Sequence, residues 1–143
     1  MFALSIRQPW AFAVASGVKR IENRTWSTNY RGPLIIHASK NVEWAVVDQV
    51  LAKVARLSHL PLSRVKRIYA PYAEGAAFIG EVQLAGVVRE SDNPWFAGPI
   101  GWVVQDGHLF DPVPGTGALG IFGVTGAVRA RVQASMQQTR QQL

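Results

Sequence analysis

The chain has 143 residues, 48% of them apolar and only 17% charged, which excludes an intrinsically disordered chain and fits one globular domain with a packed core. A formal charge of +6 and a pI near 10.3 give a surface that attracts polyanions. There is no cysteine, hence no disulfide framework and no thiolate zinc site; "MFALSIRQPW" lacks a secretory leader and no apolar run approaches the ~18 residues of a span, so a cytoplasmic protein with no membrane partner is expected.

In chain order, "ALSI" reads as a strand ended by Arg7 and Gln8, with Pro9 placed at the first turn of a short helix over "PWAFAVAS" and Gly17 as its stop. "KRIENRTW" and "GPLIIHAS" read as strands joined by the turn-rich "STNYRG". From Asn41 to Leu57, Val42, Val46, Val47, Val50, Leu51 and Val54 recur at three- and four-residue intervals, the pattern of an amphipathic helix. Ser63 is placed to cap a short helix over "RVKRIY", broken by Pro71 and Gly75. "AAFIGEVQLAGVVRE" predicts a long strand bulged at Gly86, "IGWVVQDGHLFDPVP" a hairpin turning at Asp106-Gly107, and "ALGIFGV" a last strand. Residues 1–125 are expected to form the domain, and 126–143 a polar, Gln-rich, basic tail that is a frayed helix or disordered. Short strands interrupted by one cluster of helices predict an α+β fold, a small twisted mixed β-barrel with helices packed on one side.

The densest chemistry lies in "VKRIENRTW", where Lys19, Arg20, Glu22, Arg24 and Trp26 crowd into nine residues. Strict strand alternation puts Lys19 and Glu22 on opposite faces, and a solvated Glu22–Arg pair there contributes only ~0–1 kcal/mol. A bend at the barrel mouth instead brings Lys19 and Glu22 together, as candidate catalytic residues. A desolvated lysine can act as base or nucleophile, and a nearby carboxylate can shuttle protons. Arg24 has the planar donor fork that suits phosphate. Arg7, Gln8 and Trp10 occupy a strand-to-helix turn and Ser39 and Lys40 a strand end, both places for anion contacts. Trp10 is expected in the core rather than stacked on a ligand, whereas Trp26 and Tyr30 beside a basic turn are either base-stacking residues or rim aromatics that cover the barrel end.

His37, His59 and His108 show no metal-ligand spacing, and His37 in an apolar strand reads as a hydrogen-bonded core histidine. "PGTGALG" lacks the lysine of a phosphate-binding loop and reads as a turn, so neither a metal nor a cofactor is expected. "SRVKRIY" concentrates Arg64, Lys66 and Arg67 as a local basic patch or a solvated face. "NPWFAGPIGW" is expected to close the barrel near the site, with Trp95 and Trp102 packing or walling it.

The blocks "LSIRQPWA", "SGVKRIENRTWSTNYRGPLIIHASK", "GEVQLAGVV" and "PWFAGPIGWVV" together resemble the ASCH domain, named for homology to activating signal cointegrator, over Leu4 to Val124. The resemblance implies a PUA-like β-barrel and binding of RNA or other single-stranded nucleic acid, or of a nucleoside-type small molecule. It also implies two hydrolytic alternatives, since one bacterial branch removes the acetyl group of N4-acetylcytidine and another member has ribonuclease activity. The deacetylating branch carries a lysine, a threonine three residues on and an arginine two beyond. Lys19 and Arg24 match, but Glu22 stands where the threonine would be, and none of Glu74, Glu81 and Glu90 sits in a motif matching that branch's later glutamate. Glu22 agrees with the larger coactivator-like branch. The expected function is therefore an RNA- or nucleotide-binding domain, with an N4-acetylcytidine-type amidohydrolase or ribonuclease as one alternative and a non-catalytic protein-interaction adaptor as another.

Overall fold

A computed structural model describes residues 1–138. Among these residues six strands form one sheet, β1 (Phe2–Ile6), β2 (Ile21–Arg24), β3 (Gly32–Ala38), β4 (Ala77–Val88), β5 (Ile100–Pro114) and β6 (Ile121–Gly123), in the order β2-β5-β4-β3-β1-β6. Only β1 and β3 pair in parallel; the sheet curls into a half-barrel, and with four α-helices it makes a small α+β, PUA-like fold.

Helix α1 (Trp10–Ala15) lies inside the curl, and Ala11 to Ala15 are all buried. Alanines at three of those five positions let it approach the sheet closely, and Gly17 (φ 88) turns the chain out. Helix α2 (Val47–Ser58) follows the periodicity of its valines, burying Val50, Leu51 and Val54. Helix α3 (Leu62–Tyr69) forms where "RVKRIY" predicts it, but starts behind Pro61 with no side-chain cap, so Ser63 does not cap it. These three helices and one sheet face enclose the main core, with Phe12, Leu34, Ile36, Ile79, Trp102 and Leu109 among its members.

Two segments depart from the sequence reading. "IGWVVQDGHLFDPVP" is not a hairpin but one 15-residue strand, β5, paired along β4. Asp106 (φ 56) and Gly107 form a bulge, since Glu81 faces His108 while Gln83 faces Gln105. The bulge pushes Gly107 against α1's exit: a Cβ there would stand 2.8 Å from Gly17 N and 2.9 Å from Val14 O. Gly126–Gln138 is a helix, α4, laid on the other sheet face, where Val132 packs with Ile35, Phe78, Phe110 and Val113 and Ser135 Oγ donates to Asp111 O at 2.6 Å. The expected frayed or disordered tail is thus a docked helix as far as 138; residues 139–143 lie outside the described residues. Among the described residues no helix is long and apolar enough to cross a membrane.

Candidate nucleotide-binding pocket

Strand β2 begins only at Ile21, so strand alternation does not govern Lys19. Lys19 N donates to Ala13 O at 2.9 Å, holding the residue in the turn that leaves α1. From there its side chain runs back under β2. Nζ donates to Ile21 O at 2.7 Å and to Glu22 Oε1 at 3.0 Å. The Lys19 side chain is only 2% exposed and that of Glu22 9%. Arg24 completes the cluster from the same strand: Nε is 3.2 Å from Glu22 Oε2, and an Nη group donates to Ser5 O at 2.9 Å. The Nε–Oε2 contact is an ion pair without hydrogen-bond alignment, because Nε has no hydrogen-bond partner. Glu22 therefore sits between two cations, and Oε2 keeps acceptor capacity toward the pocket.

The cluster opens into a cavity of about 640 Å³, within the range of small-molecule sites. Arg7 and Trp10 from the start of α1, Ser39 from the end of β3 and Glu43 line it with Lys19, Glu22 and Arg24. Glu43 arms the rim, accepting from Trp10 Nε1 at 3.1 Å and more loosely from Arg7 at 3.5 Å. The Arg7 side chain is 62% exposed, so its guanidinium remains open to solvent. Trp10 is half-buried: it packs against the core and edge-on to Trp95, lies 5.8 Å from Lys19 Nζ, and still shows one side to the cavity.

Lys19, Glu22, Arg24, Arg7, Trp10 and Ser39 are thus brought together. Gln8 is not. Fully buried, it spends Oε1 on Phe12 N at 2.8 Å and Nε2 on Tyr72 O at 3.1 Å, which pins the start of α1 to the loop before β4. Trp26 lies outside the cavity, edge-on to the buried Trp102, whose Nε1 donates to Trp26 O at 3.0 Å. Tyr30 is likewise outside it, edge-on to Phe2. Lys40 lines a neighbouring cavity, and the Arg64–Arg67 patch lies on α3 beside a third, of about 320 Å³. Trp95 and Trp102 pack, while Ala97 of the loop between β4 and β5 reaches the pocket. That loop is clamped by Asn23, whose Oδ1 accepts from Ala97 N and Gly98 N and whose Nδ2 donates to Trp95 O.

Ser5, Asn23, Glu43 and Leu119 also line the pocket; Ser5 and Asn23 lie, unmarked as site residues, in the blocks that resemble the ASCH domain, and Glu43 and Leu119 lie in none of them. Glu43 sits in sequence beside the amphipathic helix, where a solvated face accounts for it. His37 is a buried, hydrogen-bonded histidine, joined to Ser5 Oγ through Nδ1 and to Gly115 O through Nε2, both at 2.8 Å. Burial pushes its imidazole below the ordinary value, against the upward pull of the Gly115 hydrogen bond. A carbonyl only accepts, so Nε2 carries the proton and Nδ1 of the neutral ring accepts from Ser5. Among the described residues no group of three or more His, Asp or Glu is placed to hold a metal ion.

Fold and pocket define a class, the small α+β half-barrel that gathers buried and exposed cations around one cavity. The chain belongs to the ASCH domain family, whose model matches residues 4–139. That family is associated with RNA binding. Activating signal cointegrator 1 of Homo sapiens is 47% identical over 38 residues, 27% of this chain and 6% of that protein, and its Mus musculus counterpart matches to the same extent. The matched segment is thus a small part of these relatives.

Proposed function

We propose that this domain binds single-stranded RNA, or a nucleotide of the same chemistry, in the pocket floored by Lys19, Glu22 and Arg24. The observation that carries this reading is the convergence of three cations, Arg7, Lys19 and Arg24, with the indole of Trp10 around one cavity of about 640 Å³. Arg7 is exposed and loosely held, ready to exchange its contact with Glu43 for a phosphate. Trp10 offers the aromatic surface against which a base packs. The unaligned oxygen of Glu22 suits a base amino group, which donates only.

One observation favours a second reading, hydrolysis of N4-acetylcytidine or a similar acylated nucleoside: an ammonium 3.0 Å from a carboxylate, both shielded from water, at the floor of the pocket. Against it stand the two cations flanking Glu22 and the two acceptors already held by Lys19 Nζ. One experiment separates the readings. A fluorescein-labelled unstructured RNA decamer is titrated at low salt, and N4-acetylcytidine is incubated with the protein and followed by chromatography, for the parent, Arg7→Ala and Lys19→Ala. Binding readable at micromolar protein, weakened severalfold by the exposed Arg7→Ala and without product, supports the RNA-binding reading. Product that disappears in Lys19→Ala supports the hydrolase. Neither binding nor product leaves the adaptor reading in place of both.

A further inference from the structure

Beside the charged pocket lies a second cavity of about 430 Å³, bounded by His37, Lys40, Thr116 and the glycine-rich loop 115–119. Ser5, Ser39 and Leu119 line both cavities. The two chambers therefore adjoin along a boundary formed by these three residues. Leu119 stands 98% exposed on that divide, just ahead of Gly120 (φ 67). An aliphatic side chain held wholly in water at the junction of two cavities gains from any flat ligand that covers it.

The second chamber is lined mainly by apolar surface, and the polar pair beneath it is not reactive. Ser5 and His37 are spaced like a nucleophile and its base, yet Gly117 closes over them. A Cβ on Gly117 would overlap Ser5 Oγ and lie 2.6 Å from His37 Nδ1, leaving no room for an acyl carbon above the hydroxyl. The pair instead latches loop 115–119 onto β1 and β3, with His37 Nε2 donating to Gly115 O. This gives the chamber a fixed wall, with the exposed Lys40 ammonium and Thr116 at its edge.

We propose that the second chamber is a subsite for a second, consecutive nucleotide of the same RNA strand, with Leu119 set between the two bases and Lys40 meeting the phosphate of the second nucleotide. The inference rests on the reading of the charged pocket as a nucleotide site. It follows from the boundary the chambers share, from a volume of each that accommodates a nucleotide-sized ligand, and from a cation at the edge of each.

The test is calorimetric titration of the intact protein with pA, pC and pU and with pApA, pCpC and pUpU, for the parent, Lys40→Glu and Thr116→Glu. Both substituted positions are exposed and line only the second chamber. The expected result is a dinucleotide at least about 10-fold tighter than its mononucleotide, within the range one further base contributes. Both variants should erase that gain while holding the mononucleotide within about 2-fold. Mononucleotide binding with no dinucleotide gain, or a gain that survives both variants, overturns the subsite and leaves the pocket reading standing. Failure of mononucleotides and dinucleotides alike removes the pocket reading, and the subsite with it.

Discussion

Lys19 and Glu22 are bound to each other by desolvation as much as by Coulomb attraction. A buried pair gains little over an apolar pair of the same size, because both ions have left water, but removing one partner strands the other. Glu22→Leu leaves the 2%-exposed Lys19 and the adjacent Arg24 facing each other without a counter-charge. The expected loss is about 3–5 kcal/mol in urea unfolding. Adding Lys19→Met removes the stranded ammonium, so the double variant should be more stable than Glu22→Leu alone by at least about 1 kcal/mol. Losses that simply add would show that the two headgroups do not depend on each other, and that the pocket floor is not held by their pairing.

At the scale of elements, α1 and the β5 bulge fit through two glycine backbones, Gly17 and Gly107, in van der Waals contact. The three atoms nearest a methyl group at Gly107, at 2.8 to 2.9 Å, are all backbone atoms, and none belongs to a flexible side chain that can swing away. Gly107→Ala should therefore cost roughly 1–3 kcal/mol, as overpacking does, whereas Gly86→Ala, with nothing within 4 Å, should cost less than 1 kcal/mol. Denaturant unfolding of the two variants decides, and equal midpoints would contradict the close approach. The same dipeptide explains what the sequence leaves hidden. Asp-Gly is the signature of a two-residue hairpin turn, and only a partner as long as β4 converts it into a bulge within one strand. Strands β1, β3 and β4 and helix α2 are legible because their apolar pattern is local. Helix α4 is not, because among its residues only Val132 and Ser135 are buried and no apolar stripe announces it. Lys19, Glu22 and Arg24 can be picked out by crowding, and the resemblance to the ASCH domain adds weight to them. Ser5, Glu43 and Leu119 reach the pocket from separate segments, brought there by the parallel β1–β3 pairing, the Glu43 N to Gln8 O hydrogen bond and the latched loop.

For the whole molecule, a net charge of +6 does not by itself fix the salt dependence of binding; what matters is how many cations actually neutralise phosphates. Glu22 offsets one of the two charges of Lys19 and Arg24, so that cluster counts as about one net cation. Arg129 and Arg131 lie on α4, and neither lines the pocket. Arg7 and Lys40, both exposed beside the two cavities, add two more, for two to three phosphates in all. Two to three phosphates correspond to a slope of log K against log salt of about −1.4 to −2.1 for a single strand, or a loss of about 7- to 20-fold between 50 and 200 mM. Anisotropy titrations of an RNA decamer at four salt concentrations measure that slope directly. Arg7→Ala should make it shallower by about 0.7 and Arg129→Ala should leave it alone, because a counterion is released only where a phosphate is met. A slope near −4 that falls with Arg129→Ala would instead place RNA along α4 and the basic surface at large, with the pocket a bystander.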